Sequence, residues 1–139
     1  MTARVITFTL PFAYDLPNVT LRQNRWQATR AKNDMMRQVM AASYNLRIPE
    51  PFQRAHVTIE RHGSKVPDAD NLVGGVKRLL DCLTTPVLQT GKGGRYSYKN
   101  KRGQGFIVDD SPKHITQEVR AVLCKRGEEK TVVMIREVG

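Results

Sequence analysis

Acidic residues are scarce in this chain. Its 139 residues hold 13 Asp and Glu against 23 Lys and Arg, a formal net charge of +10. Such a surface does not suit a cationic partner. It points to nucleic acid or an anionic membrane, although a basic surface can also serve solubility alone. There is no run of 18 apolar residues, which excludes a membrane-spanning helix. No long basic helix with an aromatic face appears, which makes nucleic acid the better choice. Cysteine is nearly absent: Cys82 and Cys124 stand far apart and outside any CxxC pattern. That excludes a disulfide scaffold and suits reduced core or boundary residues of a cytosolic protein. His56, His62 and His114 lack zinc spacing with the cysteines. His62 and His114 flank the acid pairs described below, so either could approach them. No internal repeat is visible. The run Met1 to Pro11 is too short and too alternating for a signal peptide and reads as a strand.

The length suits one domain that can bury a core without staples. Across residues 3–10, Ile6, Phe8 and Leu10 alternate with Thr7 and Thr9, a strand pattern. A helix is expected from about Asn24 to Leu46. Ala28, Ala31, Met35, Val39, Ala42 and Leu46 form its buried stripe, with Met36 and Met40 widening one side. Arg30 and Arg37 share its opposite face, and Arg25 and Lys32 one flank. Ala55, Val57 and Ile59 mark a second strand, and 61–67 the turn after it. A second helix is expected from about Ala69 to Leu83. A third strand turns Ile115, Gln117, Val119, Ala121 and Leu123 one way. Arg126-Gly127-Glu128-Glu129 reads as a hairpin turn into a fourth strand, Thr131 to Glu137. The expected fold is a single α/β (α+β) domain over 1–139, in the order β-α-β-α-β-β. It has a mixed four-stranded sheet, two helices, and the last two strands antiparallel.

A basic, flexible insertion is expected at about 88–106. Its segment 91–105 has five basic residues, Lys92, Arg95, Lys99, Lys101 and Arg102, with five glycines and no acid. Long loops inside compact domains are often functional. Basic side chains interleaved with Tyr96 and Tyr98 suit phosphate contact and base stacking.

Against this charge, five of the 13 acids gather in one constellation: Asp68, Asp70 and Asp81, then Asp109-Asp110. Paired carboxylates repel, and keeping them ionised side by side needs a cation. On the second helix Asp70, Lys77 and Asp81, at offsets of seven and eleven, fall on one stripe. Leu72, Val73, Val76, Leu79, Leu80 and Leu83 take the core face. Hard divalent cations favour carboxylate oxygens. Such an ion can polarise a phosphodiester, and Lys77 can stabilise developing phosphoryl charge. Asp109-Asp110 completes the set if the third strand starts beside this helix. The ordinary alternative is a helix cap at Asp68 and a Lys77–Asp81 surface pair. An EF-hand is excluded, since Leu72, Val73 and Leu79 occupy its fifth, sixth and twelfth positions. A P-loop is excluded, since Gly93 follows Lys92 and Pro86 stands at its first glycine.

Three runs together resemble the RusA-type Holliday-junction resolvases. They are Pro67-Asp68-Ala-Asp70-Asn71-Leu72, Lys77-Arg-Leu-Leu-Asp81-Cys-Leu83 and Val108-Asp109-Asp110-Ser111-Pro112-Lys113. Arg25-Trp26 and Arg30-Ala-Lys32 resemble the first-helix region of a phage branch of that family. The resemblance implies a homodimeric, Mg²⁺-dependent endonuclease on four-way DNA junctions, with Mn²⁺ as a possible substitute. Paired cuts on opposed strands need two sites, hence two copies. It implies Asp68, Asp70 and Asp110 as metal-binding carboxylates and Lys77 as the catalytic-site lysine. Asp109 and Asp81 become supporting acids, Asp109 also near the metal, with Asn71 beside them. Arg25, Arg30, Lys32 and the 91–105 cations would hold DNA. The setting it implies is the cytoplasm of a bacterial or phage-infected cell, with no membrane. The alternative is a catalytically silent branched-DNA or RNA binding module with a structural cation.

Overall fold

A computed structural model describes residues 4–139. Its main sheet has four strands in the order β1 (Val5–Leu10), β6 (Lys130–Glu137), β2 (Ala55–Gly63), β5 (Ile115–Leu123). β6 pairs antiparallel with both β1 and β2, and β2 pairs parallel with β5, so the sheet is mixed. One face carries Ile6, Phe8, Leu10, Val57, Ile59, Val133 and Ile135, all buried. The helices α2 (Arg25–Ala42), α3 (Ala69–Gly74) and α4 (Lys77–Asp81) close that face, following α1 (Pro17–Thr20). Val39, Leu72, Val76, Leu79, Leu80 and Leu83 join the same core, whereas Val73, expected with them, is exposed because the short α3 turns only Leu72 inward. Each such side chain contributes about 1.5–3 kcal/mol of burial. No helix among the described residues is long and apolar enough to cross a membrane.

The alternation in β1 appears as expected, with Ala3 outside the described residues. The first long helix also forms, opened by a capping box between Asn24 and Gln27. It is shorter than expected: Ser43 ends it and Tyr44–Leu46 is a 3-10 turn. Of its apolar stripe only Val39 is fully buried, and Met40 is exposed. Met35, Met36, Ala42 and Leu46 pack against the core while only half-buried.

Three expectations need correction. β2 runs to Gly63, because the polar Arg61 and His62 still pair with Ala121 and Val122 of β5. The turn therefore starts at Ser64. The last two strands are not neighbours: β2 lies between β5 and β6. Thr131, Val133 and Ile135 are fully buried, whereas β5 is largely half-buried or exposed. The better-buried strand takes the sheet interior and the other takes its edge. The second helix is broken into α3 and α4 at Gly75 and Val76. Both residues keep helical backbone, but Val76 N–H donates to Val73 O rather than one residue further back. Gly75 lies against Tyr14, where a Cβ would sit 2.8 Å from the ring.

The basic segment is also more ordered than a loop. β3 (Val87–Thr90) and β4 (Tyr96–Lys99) pair antiparallel as a separate two-stranded hairpin, making six strands among the described residues. Gly93 and Gly94, at φ +73° and +74°, turn its tip through the left-handed region that glycine adopts without strain.

Tyr14 ties the N-terminal loop to the site-bearing helices. Its hydroxyl donates to Leu72 O at 2.5 Å, and Arg61 Nε donates to Tyr14 O at 2.7 Å. Burial pushes the phenol up to about 12, with Arg61 pulling the other way. The native state therefore keeps the phenol neutral where an unfolded chain would ionise near pH 10. That stabilisation is complete below pH 10 and is lost as pH rises towards 12. Tyr14→Phe is expected to cost about 1 kcal/mol at neutral pH. It should also flatten the alkaline loss of stability, read from urea midpoints at pH 8 to 12 against wild type; parallel curves would refute the coupling.

Candidate functional site

The constellation is assembled by two separate stretches of backbone. After β2 the chain reaches Asp68, which caps α3. Asp68 Oδ1 accepts from the Asn71 backbone N–H at 2.9 Å, and Oδ2 from Asn71 Nδ2 at 3.1 Å. Asp70 stands exposed in the first turn of α3, where a negative charge suits the helix dipole. On α4, Lys77 and Asp81 form an ion pair at 2.8 Å. The ordinary roles of cap and surface pair are thus both filled.

Lys77 does more than that. Its Nζ also donates to Asp110 Oδ2 at 2.5 Å, across 33 residues of sequence. The chain reaches this position because Gln104 N–H bonds to Cys82 O, and the N–H groups of Phe106 and Ile107 to Leu83 O. Phe106 and Ile107 are buried, and Ile107 bridges to Phe52. The end of α4 is thereby stitched to the segment that leads into Asp109-Asp110. α3 packs beside β5, the strand that follows.

Desolvation works against the Lys77 ammonium, but its bonds to Asp110 and Asp81 outweigh that and raise its pKa above the ordinary lysine range. Lys77 stays cationic at any physiological pH. Asp109 is held differently. Desolvation opposes its charge, yet Lys99 Nζ at 3.1 Å, the Asp110 N–H at 2.9 Å and Asn100 Nδ2 at 3.3 Å prevail and lower its pKa. Asp109 therefore fastens the hairpin to the acid pair. The grip of Asn100 was not foreseen from sequence. Its signal is local: an Asn in left-handed backbone, φ +58°, directly after a strand.

The expected basic residues flank this site on two elements. Arg25 and Arg30 lie exposed on α2, and Lys32 is half-buried there. Arg102 Nε donates to Asn33 Oδ1 at 3.1 Å, joining the hairpin's base to α2. Lys92, Arg95 and Lys101 are exposed on the hairpin and its return. The histidines do not join the acids. His62 faces Glu60 at 3.4 Å, His114 bonds to Gln53 O, and His56 bonds to Thr116. Cys82, buried, and Cys124, half-buried, are both free thiols.

The donor chemistry suits a hard divalent cation, since every acid of the constellation offers carboxylate oxygens. The convergence does not: among the described residues no three Asp, Glu, His or Cys side chains meet around one point. Asp68 is turned to Asn71, Asp109 to the hairpin, and Asp110 to Lys77. The structure thus holds a lysine between two carboxylates, Asp81 and Asp110, with Asp68 and Asp70 further up the broken helix. One ammonium between two carboxylates leaves the cluster net negative, so it can receive a phosphodiester only together with a cation.

The chain matches no known family model and none of the curated proteins compared with it.

Proposed function

We propose that this protein is a Mg²⁺-dependent, structure-selective endodeoxyribonuclease that resolves four-way DNA junctions as a homodimer. The observation that carries the reading is the meeting of Lys77 with Asp110. It brings the second acid pair, remote in sequence, onto α4, which bears Lys77 and Asp81 and follows directly on the α3 that bears Asp70. The three runs that resemble RusA-type resolvases therefore lie on contiguous elements.

When bound, Mg²⁺ would polarise the scissile phosphate and shield the leaving oxygen. It needs only one or two protein carboxylates, taking further oxygens from water and substrate phosphate. Asp70, Asp68 and Asp110, which the resemblance implies, are the candidates from which those one or two carboxylates would come. Everything else falls to the chain's own groups. Lys77, permanently charged, presents an ammonium to the phosphoryl oxygens. Asp81 and Asp110 hold that ammonium in place. Asp109 keeps the basic hairpin beside the site. Arg25, Arg30, Lys32 and the hairpin cations neutralise backbone phosphates, with a steep salt dependence.

A labelled four-way junction and a linear duplex of the same sequence, each incubated with Mg²⁺ and with EDTA, test the reading. Paired nicks on the junction alone, only with Mg²⁺, are expected. Binding of the junction without cleavage under Mg²⁺ or Mn²⁺ would favour a silent binding module instead.

A further inference from the structure

The hairpin has two unlike faces. Register pairs Leu88 with Tyr98 and Thr90 with Tyr96, which places these four side chains on one face. Val87, Gln89, Ser97 and Lys99 occupy the other, and Lys99 reaches Asp109 from it. The tyrosine face is therefore the one turned away from the acid pair. Tyr96 is 72% exposed, Tyr98 60% and Leu88 54%. An aromatic strip this bare invites a planar apolar partner. Lys99 is taken up by Asp109 and Arg102 by Asn33, but Lys92, Arg95 and Lys101 are exposed on the same segment with no acid in it, so that partner is anionic. Unpaired bases on a phosphate backbone combine both properties.

We propose that Tyr96 and Tyr98 form a stacking platform for unpaired bases of single-stranded DNA, while the cations of the same hairpin hold its phosphates. In a continuous duplex the base faces are already stacked and closed to the platform. A strand opened at a branch point offers them. Because Lys99 and Asn100 pin the hairpin to Asp109, a base seated on the platform fixes where the branch lies relative to Asp110 and Lys77. The platform thus selects branched over linear DNA. The inference rests on the nucleic-acid reading above, but not on cleavage.

The test measures binding in EDTA, by anisotropy, of a labelled dT20 and of an abasic 20-mer that keeps the phosphates and lacks the bases. Wild type should bind dT20 roughly tenfold or more tightly than the abasic chain. The Tyr96→Ala/Tyr98→Ala variant should bring dT20 down to the abasic level and leave abasic binding unchanged. Lys92→Ala/Arg95→Ala should weaken both. Equal wild-type affinity for the two oligonucleotides would overturn the platform and leave the phosphate-binding reading standing. No affinity for either would overturn both. Sedimentation of the tyrosine variant covers the remaining occupant. A change of oligomeric state with unaltered dT20 affinity would make the strip a contact between copies and overturn the proposal.

Discussion

Asp70→Asn is expected to lower junction cleavage by at least about 100-fold, while junction affinity stays within about twofold of wild type. Asp70 is the acid that can be changed with least damage. It is exposed in the first turn of α3, so the amide removes charge without removing a packed group. The loss of its favourable dipole interaction costs only about 0.3–1 kcal/mol. Asp68→Asn would set an amide N–H against Asn71 Nδ2, and Asp110→Asn would loosen Lys77. Their effects would therefore mix chemistry with local structure. Single-turnover cleavage measured beside anisotropy in EDTA separates the two quantities. Undiminished cleavage would remove Asp70 from the site. Loss of binding would show that its role is not confined to chemistry.

Gly103→Ala should have the largest effect on stability of any glycine-to-alanine change among the described residues. A Cβ on Gly103 would lie 1.9 Å from the Thr84 carbonyl oxygen and 2.4 Å from its carbon. Both are backbone atoms, and Thr84 is fully buried. Nothing there can rotate aside. The segment must lift away and strain the neighbouring bonds of Gln104 to Cys82 O and Gly105 to Thr84 O. We expect a cost of about 3 kcal/mol, at the upper end for overpacking. That corresponds to a fall in melting temperature of about 10 °C. The same displacement should pull Asp109-Asp110 from α4, so cleavage should fall even well below the new melting point. Calorimetry and a cleavage assay at 20 °C check the two parts. A wild-type melting temperature would contradict the close approach.

The parts of this fold legible in sequence are those governed by local periodicity. Ile6, Phe8 and Leu10 announced β1, and Val57 and Ile59 announced β2, because one buried face imposes a period of two. The end of β2 was missed because Arg61 and His62 satisfy strand pairing with their backbone while their side chains look like turn residues. The neighbour of β6 was misread for a different reason. Arg126–Glu129 has hairpin chemistry, yet a short turn does not reveal that β2 lies between the strands it joins. The acid pairs were conspicuous by their rarity in a basic chain. Their approach to one another was not, since it depends on Phe106 and Ile107 being drawn into the core beside Leu83. Tyr14 gave no pattern at all. It sits between Pro11 and Pro17, where no period operates, and its importance comes from one hydroxyl reaching Leu72 O.

The position of β6 has a consequence for how the molecule comes into being. β6 is the last strand in chain order and yet an interior member of the sheet, with Val5 opposite Arg136 and Ala55 opposite Glu137. A ribosome releases the chain from its N-terminal end, so β1 and β2 emerge long before the strand that separates them. Until then β2 can pair only with β5 and β1 has no partner, so the ladder edges that β6 will fill stand open to any passing strand. Pairing β1 with β6 closes a loop of more than a hundred residues, which is entropically slow. The sheet is therefore closed late, and the interval before that closure is when a chaperone would be of most use.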